Sequence, residues 1–355
     1  MGKVADRIAA RIVGAGPLSF AEVMEEALYG PGGYYARPTL AIGPDGDYVT
    51  GSALSSVFGH TTARVVARVA DEVGGRADYL EVAYGNGEHL AAVTERLTSL
   101  AGTRILAWDR VARDVPADVT LIGGLADLGA LGFVGLIFSY ELFDALPVHR
   151  LIGRPHGVGE LWVDWSEAEG FRYLPGDLSD PRLVDLLGGH PLEVGQVADL
   201  APGWRPLYRQ LAQALGRGLL VTCDYGYERA ALLDPRVRRS GTVACYSRHR
   251  AHRDALRRLG EDDLTAHVDW TALVEEGEAA GLETVAFTRQ ARWLTAAGFF
   301  EEAMAGGGRI SGEARVLLDG GGMGEEIRVL VQARGVDPAR VLDLDILGAW
   351  HPSSP

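Results

Sequence analysis

The chain has 355 residues, 47% of them hydrophobic, enough for a large core and more than one subdomain. Its net charge of −14 argues against a nucleic-acid partner and leaves a basic peptide, a neutral small molecule or plain solubility as the use of the charge. Two cysteines, Cys223 and Cys245, give no disulfide framework, no apolar run is long enough to span a membrane, and no signal-peptide core is present; a reducing cytoplasm is therefore expected.

Residues 3–13 place Val4, Ile8 and Ile12 on one helical face, and Pro17 breaks that helix. Ser19 and Glu22 form a capping box for a helix over 20–28, which stops at Gly30-Pro31-Gly32-Gly33. Gly43-Pro44-Asp45-Gly46-Asp47 reads as a turn, and Tyr48-Val49-Thr50 as a short extended piece. Ser55 or Ser56 starts a helix that runs to about Val73. From Asp78 the texture alternates between strands and helices. Strands are predicted over 79–82, 104–108, 119–122, 134–139 and 219–223, with a final strand over 326–333. This rhythm predicts an α/β fold with a doubly wound, mostly parallel sheet covered on both faces. Two stretches interrupt it. Residues 150–203 contain the alternating run Leu161-Trp162-Val163-Asp164-Trp165, a turn at 166–170 and Phe171-Arg172-Tyr173, a hairpin pattern followed by a short helix near 183–187. Residues 227–280 are polar and arginine-rich in their first part.

Tyr79-Leu80-Glu81-Val82-Ala83-Tyr84-Gly85-Asn86-Gly87 carries the most information. An apolar strand ends in an acid, then turns through small residues into a helix from about Glu88. Such a turn brings backbone N–H groups close to a ligand. A dinucleotide site asks for three glycines in G-x-G-x-x-G, and the matching positions here are Ala83, Gly85 and Glu88, so that reading weakens. An ordinary strand-to-helix turn is the plain alternative. Asp109 closes the second strand, where a carboxylate accepts ribose hydroxyls or simply caps a helix. Ser139-Tyr140-Glu141-Leu142-Phe143-Asp144-Ala145-Leu146-Pro147 follows another buried strand, and Glu141 and Asp144 share a face if the segment is helical. Glu81, Asp109, Glu141 and Asp224 all fall at or just after strand ends, where ligands of such sheets bind. Together these point to S-adenosyl-L-methionine (SAM). The histidines carry no zinc spacing; His267, with Asp269 beside it, has the best claim to chemistry.

At these residues the chain resembles the MidA-like SAM-dependent methyltransferases, which include a mitochondrial arginine methyltransferase that assists assembly of respiratory complex I. The pieces that carry the likeness are Leu18-Ser19-Phe20, Ala27-Leu28-Tyr29, Gly33-Tyr34-Tyr35, Gly46-Asp47-Tyr48-Val49-Thr50, Phe58-Gly59, Glu141 through His149, Asp224-Tyr225-Gly226, Thr265 through Trp270 and Met323-Gly324-Glu325. The resemblance implies a class I SAM-methyltransferase core of residues 75–149, 204–226 and 281–334. It also implies an N-terminal helical region, 1–74, over the cofactor, substrate-side insertions at 150–203 and 227–280, and a tail of 335–355. It assigns Gly46, Asp47, Thr50, Glu81, Ala83, Gly85, Gly87, Asp109 and Glu141 to the cofactor. Glu141 and Asp144 are the expected catalytic acids, and Tyr34, Tyr140, His267 and Trp270 the substrate side, with no metal. Two departures stand out. Ala83 replaces the usual first glycine of the turn, tolerable at negative φ and strained otherwise. Ala53 replaces the glutamate of a T-x-P-E-I-S stretch. The expected reaction is methyl transfer to a protein nitrogen such as arginine. The alternatives are an O- or N-methyltransferase of a small metabolite or modified peptide, and a SAM-binding scaffold whose site has decayed. A homodimer is plausible by resemblance.

Overall fold

The computed structural model describes residues 2–38, 40, 50–125, 127–130, 132–247, 250–305, 310–319 and 322–348. The chain divides into two compact units. One comprises Met1–Tyr48, Phe143–Pro206 and Gly226–Ala272; the other comprises Val49–Leu142, Leu207–Tyr225 and Leu273–Pro355.

The second unit is built on apolar runs long enough to be buried on both faces, the pattern of a parallel sheet. Its strands are β1 (Asp78–Val82), β2 (Ile105–Trp108), β3 (Val119–Leu121), β4 (Phe133–Tyr140), β5 (Leu215–Asp224), β6 (Glu283–Arg289) and β7 (Arg328–Arg334). They lie in the order β6-β7-β5-β4-β1-β2-β3. Strands β3, β2, β1, β4 and β5 run parallel, and β7 runs antiparallel to both β5 and β6. The strand order reverses between β1 and β4, and ligands of doubly wound sheets bind at the carboxyl end of such a reversal. The helix Ser56–Val73 packs on this sheet through Phe58, whose ring meets Phe138 and Trp293 at 6.1 and 5.6 Å. That packing puts Ser56–Val73 in the core unit, apart from the two N-terminal helices with which the sequence grouped it.

Those helices, Lys3–Ala15 and Phe20–Tyr29, belong to the first unit. The capping box forms as expected: Ser19 Oγ accepts from Glu22 N–H at 3.2 Å, and Ser19 N–H donates to Glu22 Oε2 at 3.0 Å. Leu18–Ser19 pairs with Gly157–Ser166, which also pairs with His149–Arg154 and, as the expected hairpin, with Gly170–Gly176. Val197–Leu200 completes that sheet on His149–Arg154. In the second insertion Ala244–Ser247 pairs with Arg250–His252 and Asp263–Thr265. The strands Glu283–Arg289, His149–Arg154 and Val197–Leu200 had no counterpart among the predicted ones. Among the described residues no helix is long and apolar enough to cross a membrane.

Candidate active site

The turn after β1 is wound tightly. Ala83, Gly85 and Gly87 have φ of 61°, 58° and 78°. Ala83 N–H donates to Trp108 O at 2.8 Å, Gly87 N–H donates to Tyr84 O at 2.8 Å, and Asn86 Oδ1 accepts from Glu88 N–H at 3.2 Å to open the helix Glu88–Leu97. A Cβ built on Gly87 meets nothing within 4 Å, so glycine is needed there for its φ, and the space beside it is open. Ala83 therefore takes the strained alternative. Left-handed backbone costs an L-residue about 1–2 kcal/mol, and such strain gathers at functional sites. Ala83→Gly relieves it but frees the unfolded chain, so a net gain of about 0.5–1 kcal/mol is expected in denaturant unfolding. A destabilised variant would contradict the assignment of strain.

Glu81 braces the turn from below. It is 4% exposed, and its Oε2 accepts from Tyr79 Oη at 2.8 Å and His89 Nδ1 at 2.9 Å. His89 Nε2 lies 3.2 Å from Thr62 Oγ1, and the His89 ring stacks on Phe138 at 4.9 Å. Burial, then the neighbouring Glu81, pushes the Tyr79 phenol well above its ordinary pKa, so it stays a donor. One carboxylate thus ties the strand entering the turn to the helix leaving it. Tyr79, His89 and Thr62 were missed by the sequence reading; a tyrosine two residues before the acid, on the same strand face, was the available signal.

A second carboxylate ties the turn to β2. Asp109 is half-buried; its Oδ2 accepts from Gly85 N–H and its Oδ1 from Val111 N–H, both at 3.0 Å. Burial raises the pKa of this carboxyl despite those bonds. Beside it, Tyr84 Oη donates to Arg113 O at 2.7 Å and accepts from Arg113 N–H at 2.6 Å.

At the end of β4, Glu141 has φ of 51°; with Ala83 it makes the two non-glycine residues of positive φ among those described. Its N–H donates to Cys223 O of β5 at 2.9 Å. Tyr140, expected on the substrate side, is 7% exposed; its hydroxyl donates to Gln290 Oε1 at 2.7 Å and its ring meets Phe58 at 5.6 Å. A Cβ on Gly51 would lie 2.3 Å from that hydroxyl, so the turn Gly51–Ala53, opened by Thr50, sits against Tyr140 only because residue 51 is glycine. Gly46 and Asp47 lie outside the described residues. The helix on which a shared face for Glu141 and Asp144 depended does not form: residues 141–148 are irregular, with bends and one turn. Pro147 disfavours helix at Leu146, and the strand His149–Arg154 follows at once. The shared helical face for Glu141 and Asp144 is thereby withdrawn.

Four acids now stand along one edge. Val82 is in register with Trp108 and Ser139, and Cys223 with Tyr140. Asp109, Glu81, Glu141 and Asp224 accordingly occupy the carboxyl ends of β2, β1, β4 and β5, four neighbouring strands on both sides of the order reversal. Asp224 is fully buried and its Oδ1 accepts from Tyr225 N–H at 2.8 Å.

The remaining expected residues belong to the first unit. Asp144 is buried, with its carbonyl accepting from Ala266 N–H at 2.9 Å. Tyr34 is buried beneath the Arg37 guanidinium, 4.8 Å from its ring centroid. Trp270 is fully buried, its ring so close to Gly226 that a Cβ there would lie 2.9 Å from Nε1; it is a core residue of its unit, not an open pocket wall. His267 is half-buried, 5.2 Å from the Tyr227 ring, and burial lowers its pKa to about 4, so it is neutral at pH 7. Asp269 does not serve it: that carboxylate accepts from Arg229 Nε at 2.7 Å and Ala272 N–H at 3.2 Å. Both cysteines are buried, and no group of metal-binding side chains occurs among the described residues.

Residues 98–288, more than half of the chain, match the family described as "S-adenosyl-L-methionine-dependent methyltransferase". The chain belongs to this family. The methyltransferase is 28% identical to a protein from Burkholderia thailandensis whose crystal structure is bound to S-adenosyl-homocysteine, with a TM-score of 0.82 over 94% of this chain and 92% of that one. Among curated proteins it is 26% identical to the mitochondrial protein arginine methyltransferase NDUFAF7 of Mus musculus, over 78% of this chain and 70% of that protein. It is 24% identical to the Homo sapiens protein of the same name, over 77% and 68%. The MidA-like resemblance, the class I fold and SAM as cofactor are borne out.

Proposed function

We propose that the methyltransferase modifies a protein nitrogen, an arginine guanidinium, held and deprotonated at the carboxyl edge of the core sheet. The observation that carries this reading is the row of four acids on four neighbouring strands. Clustered carboxylates favour a cationic donor and a cationic acceptor, and the two oxygens of a carboxylate match the fork of a guanidinium. The names of the curated relatives support the same acceptor.

The turn fits an adenosyl group. Its backbone is folded back at residues 83, 85 and 87, the space beside Gly87 is open, and the Asp109 carboxylate offers about four lone-pair sites, which its backbone N–H partners do not all fill. SAM, when bound, supplies a methyl group made electrophilic by its sulfonium. In this reading the 83–87 turn, Thr50 and Asp109 hold the cofactor, joined by Gly46 and Asp47 on the strength of the resemblance. Glu81 keeps the turn in shape. Glu141 orients the acceptor nitrogen and takes the proton it loses. Asp144, expected beside Glu141 as a second acid, is buried, and the proposal rests on Glu141.

Transfer to a small metabolite is the second reading, favoured by Ala53 where the resemblance implies a glutamate. A cytoplasmic location and a homodimer complete the proposal; the curated relatives are mitochondrial by name. The test is incubation of purified protein with SAM and arginine-containing peptides, read by mass spectrometry. One added methyl on arginine is the expected result. SAM binding by calorimetry with no methylated arginine would contradict the acceptor.

A further inference from the structure

The edge of the sheet that carries the acids continues past them. Asp224 of β5 is in register with Arg328 of β7, and Arg328 with Arg289 of β6. Because β7 is antiparallel to β5, its first residue and the last residue of β6 lie on the same edge as the carboxyl ends of β1, β4 and β5. Arg292 follows in the helix Gln290–Ala297. These three arginines, with Phe287, Thr288 and Glu325, line a cavity of about 340 Å³. Glu325 organises the cluster: its carboxylate pairs with Arg289, and its carbonyl accepts from Arg328 Nη1 at 2.7 Å. This gives the Met323-Gly324-Glu325 piece a task that methyl transfer itself does not require. Arg292 is exposed and makes no hydrogen bond or ion pair among the described residues. Three guanidinium groups and one carboxylate are among the residues lining this cavity, in a chain of net charge −14. The edge is therefore acidic over β2, β1, β4 and β5, and basic over β7 and β6.

We infer that the Arg289–Arg292–Arg328 cavity is an anion subsite that takes an acidic side chain of the peptide being methylated. The inference deepens the proposed function and rests on it for the link to the acceptor. Span argues for a peptide. Glu141 on β4 and Arg289 on β6 are three strand spacings apart, about 14 Å at ~4.8 Å each. An extended chain covers that distance in about four residues. The acceptor accordingly carries aspartate or glutamate about four positions from the methylated arginine, with the carboxylate held by guanidinium forks.

The test is fluorescence anisotropy with a labelled peptide of one arginine, three glycines and two aspartates, against the same peptide with asparagines. At low salt the protein should bind the aspartate peptide about tenfold more tightly, since each exposed pair adds a small increment that salt screens. Arg292→Glu should reduce that preference below about twofold while SAM affinity, read by calorimetry, stays unchanged. Equal binding of the two peptides, binding of neither, or a preference that survives Arg292→Glu would overturn the subsite. If the preference is seen and the peptide's arginine gains no methyl, the subsite stands and the arginine acceptor falls.

Discussion

Glu81→Ala is expected to cost about 2–6 kcal/mol of stability, at about 1–3 kcal/mol for each buried donor left without its acceptor. The substitution deletes the acceptor of two donors at once. Tyr79 Oη and His89 Nδ1 both point at Glu81 Oε2, and neither residue has solvent to turn to. Each unpaired buried donor carries a desolvation penalty, which is why the loss exceeds that of one ordinary hydrogen bond. Glu81→Gln keeps an acceptor in place and should lose less than half as much. The midpoints of urea unfolding curves for the two variants give the comparison, provided the slopes agree with the parent's. A Glu81→Ala protein within about 1 kcal/mol of the parent would mean that the carboxylate does not brace the turn.

Glu141→Gln is expected to lower kcat about 100-fold, the low end for removing a positioned general base. Glutamine keeps the shape and the ability to accept a hydrogen bond, so folding should change little at this half-buried position. The strained backbone at Glu141 is unaffected, since either residue bears the same φ penalty. SAM affinity measured on the same preparation separates lost chemistry from lost cofactor. A kcat within about threefold of the parent would leave Glu141 without a chemical role.

Much of the site was legible because its signals are local. The buried strand ending in Glu81, the small-residue turn and the acid after each strand depend on neighbouring residues, and the structure puts all four acids at adjacent strand ends. The conformation of Ala83 was not legible. Its φ is set by closing the turn against Trp108, and both signs were open on sequence alone. Gly51, Tyr140 and Gln290 meet across 239 positions of chain from Gly51 to Gln290, and nothing in the periodicity marks such a contact. The pairing of Leu18–Ser19 with Gly157–Ser166 was hidden for the same reason, since two residues are too few to show an alternation. Asp269 misled because adjacency in sequence was taken for adjacency to His267, whereas Arg229 claims that carboxylate.

The shared geometry of the two strained residues explains why they belong to one site. Ala83 follows β1 and Glu141 follows β4, the two strands between which the sheet reverses its order. Strain of this kind persists only where the surroundings hold it, and here the holders are named: Trp108, Asp109 and Glu81 on one side, Cys223 on the other. A crystal structure of the protein with S-adenosyl-homocysteine is the most direct measurement. The nucleoside should lie against residues 83–87, with its ribose hydroxyls on Asp109. Density for it anywhere else, or side chains closing over Gly87 in the complex, would contradict the assignment of the cofactor to this turn.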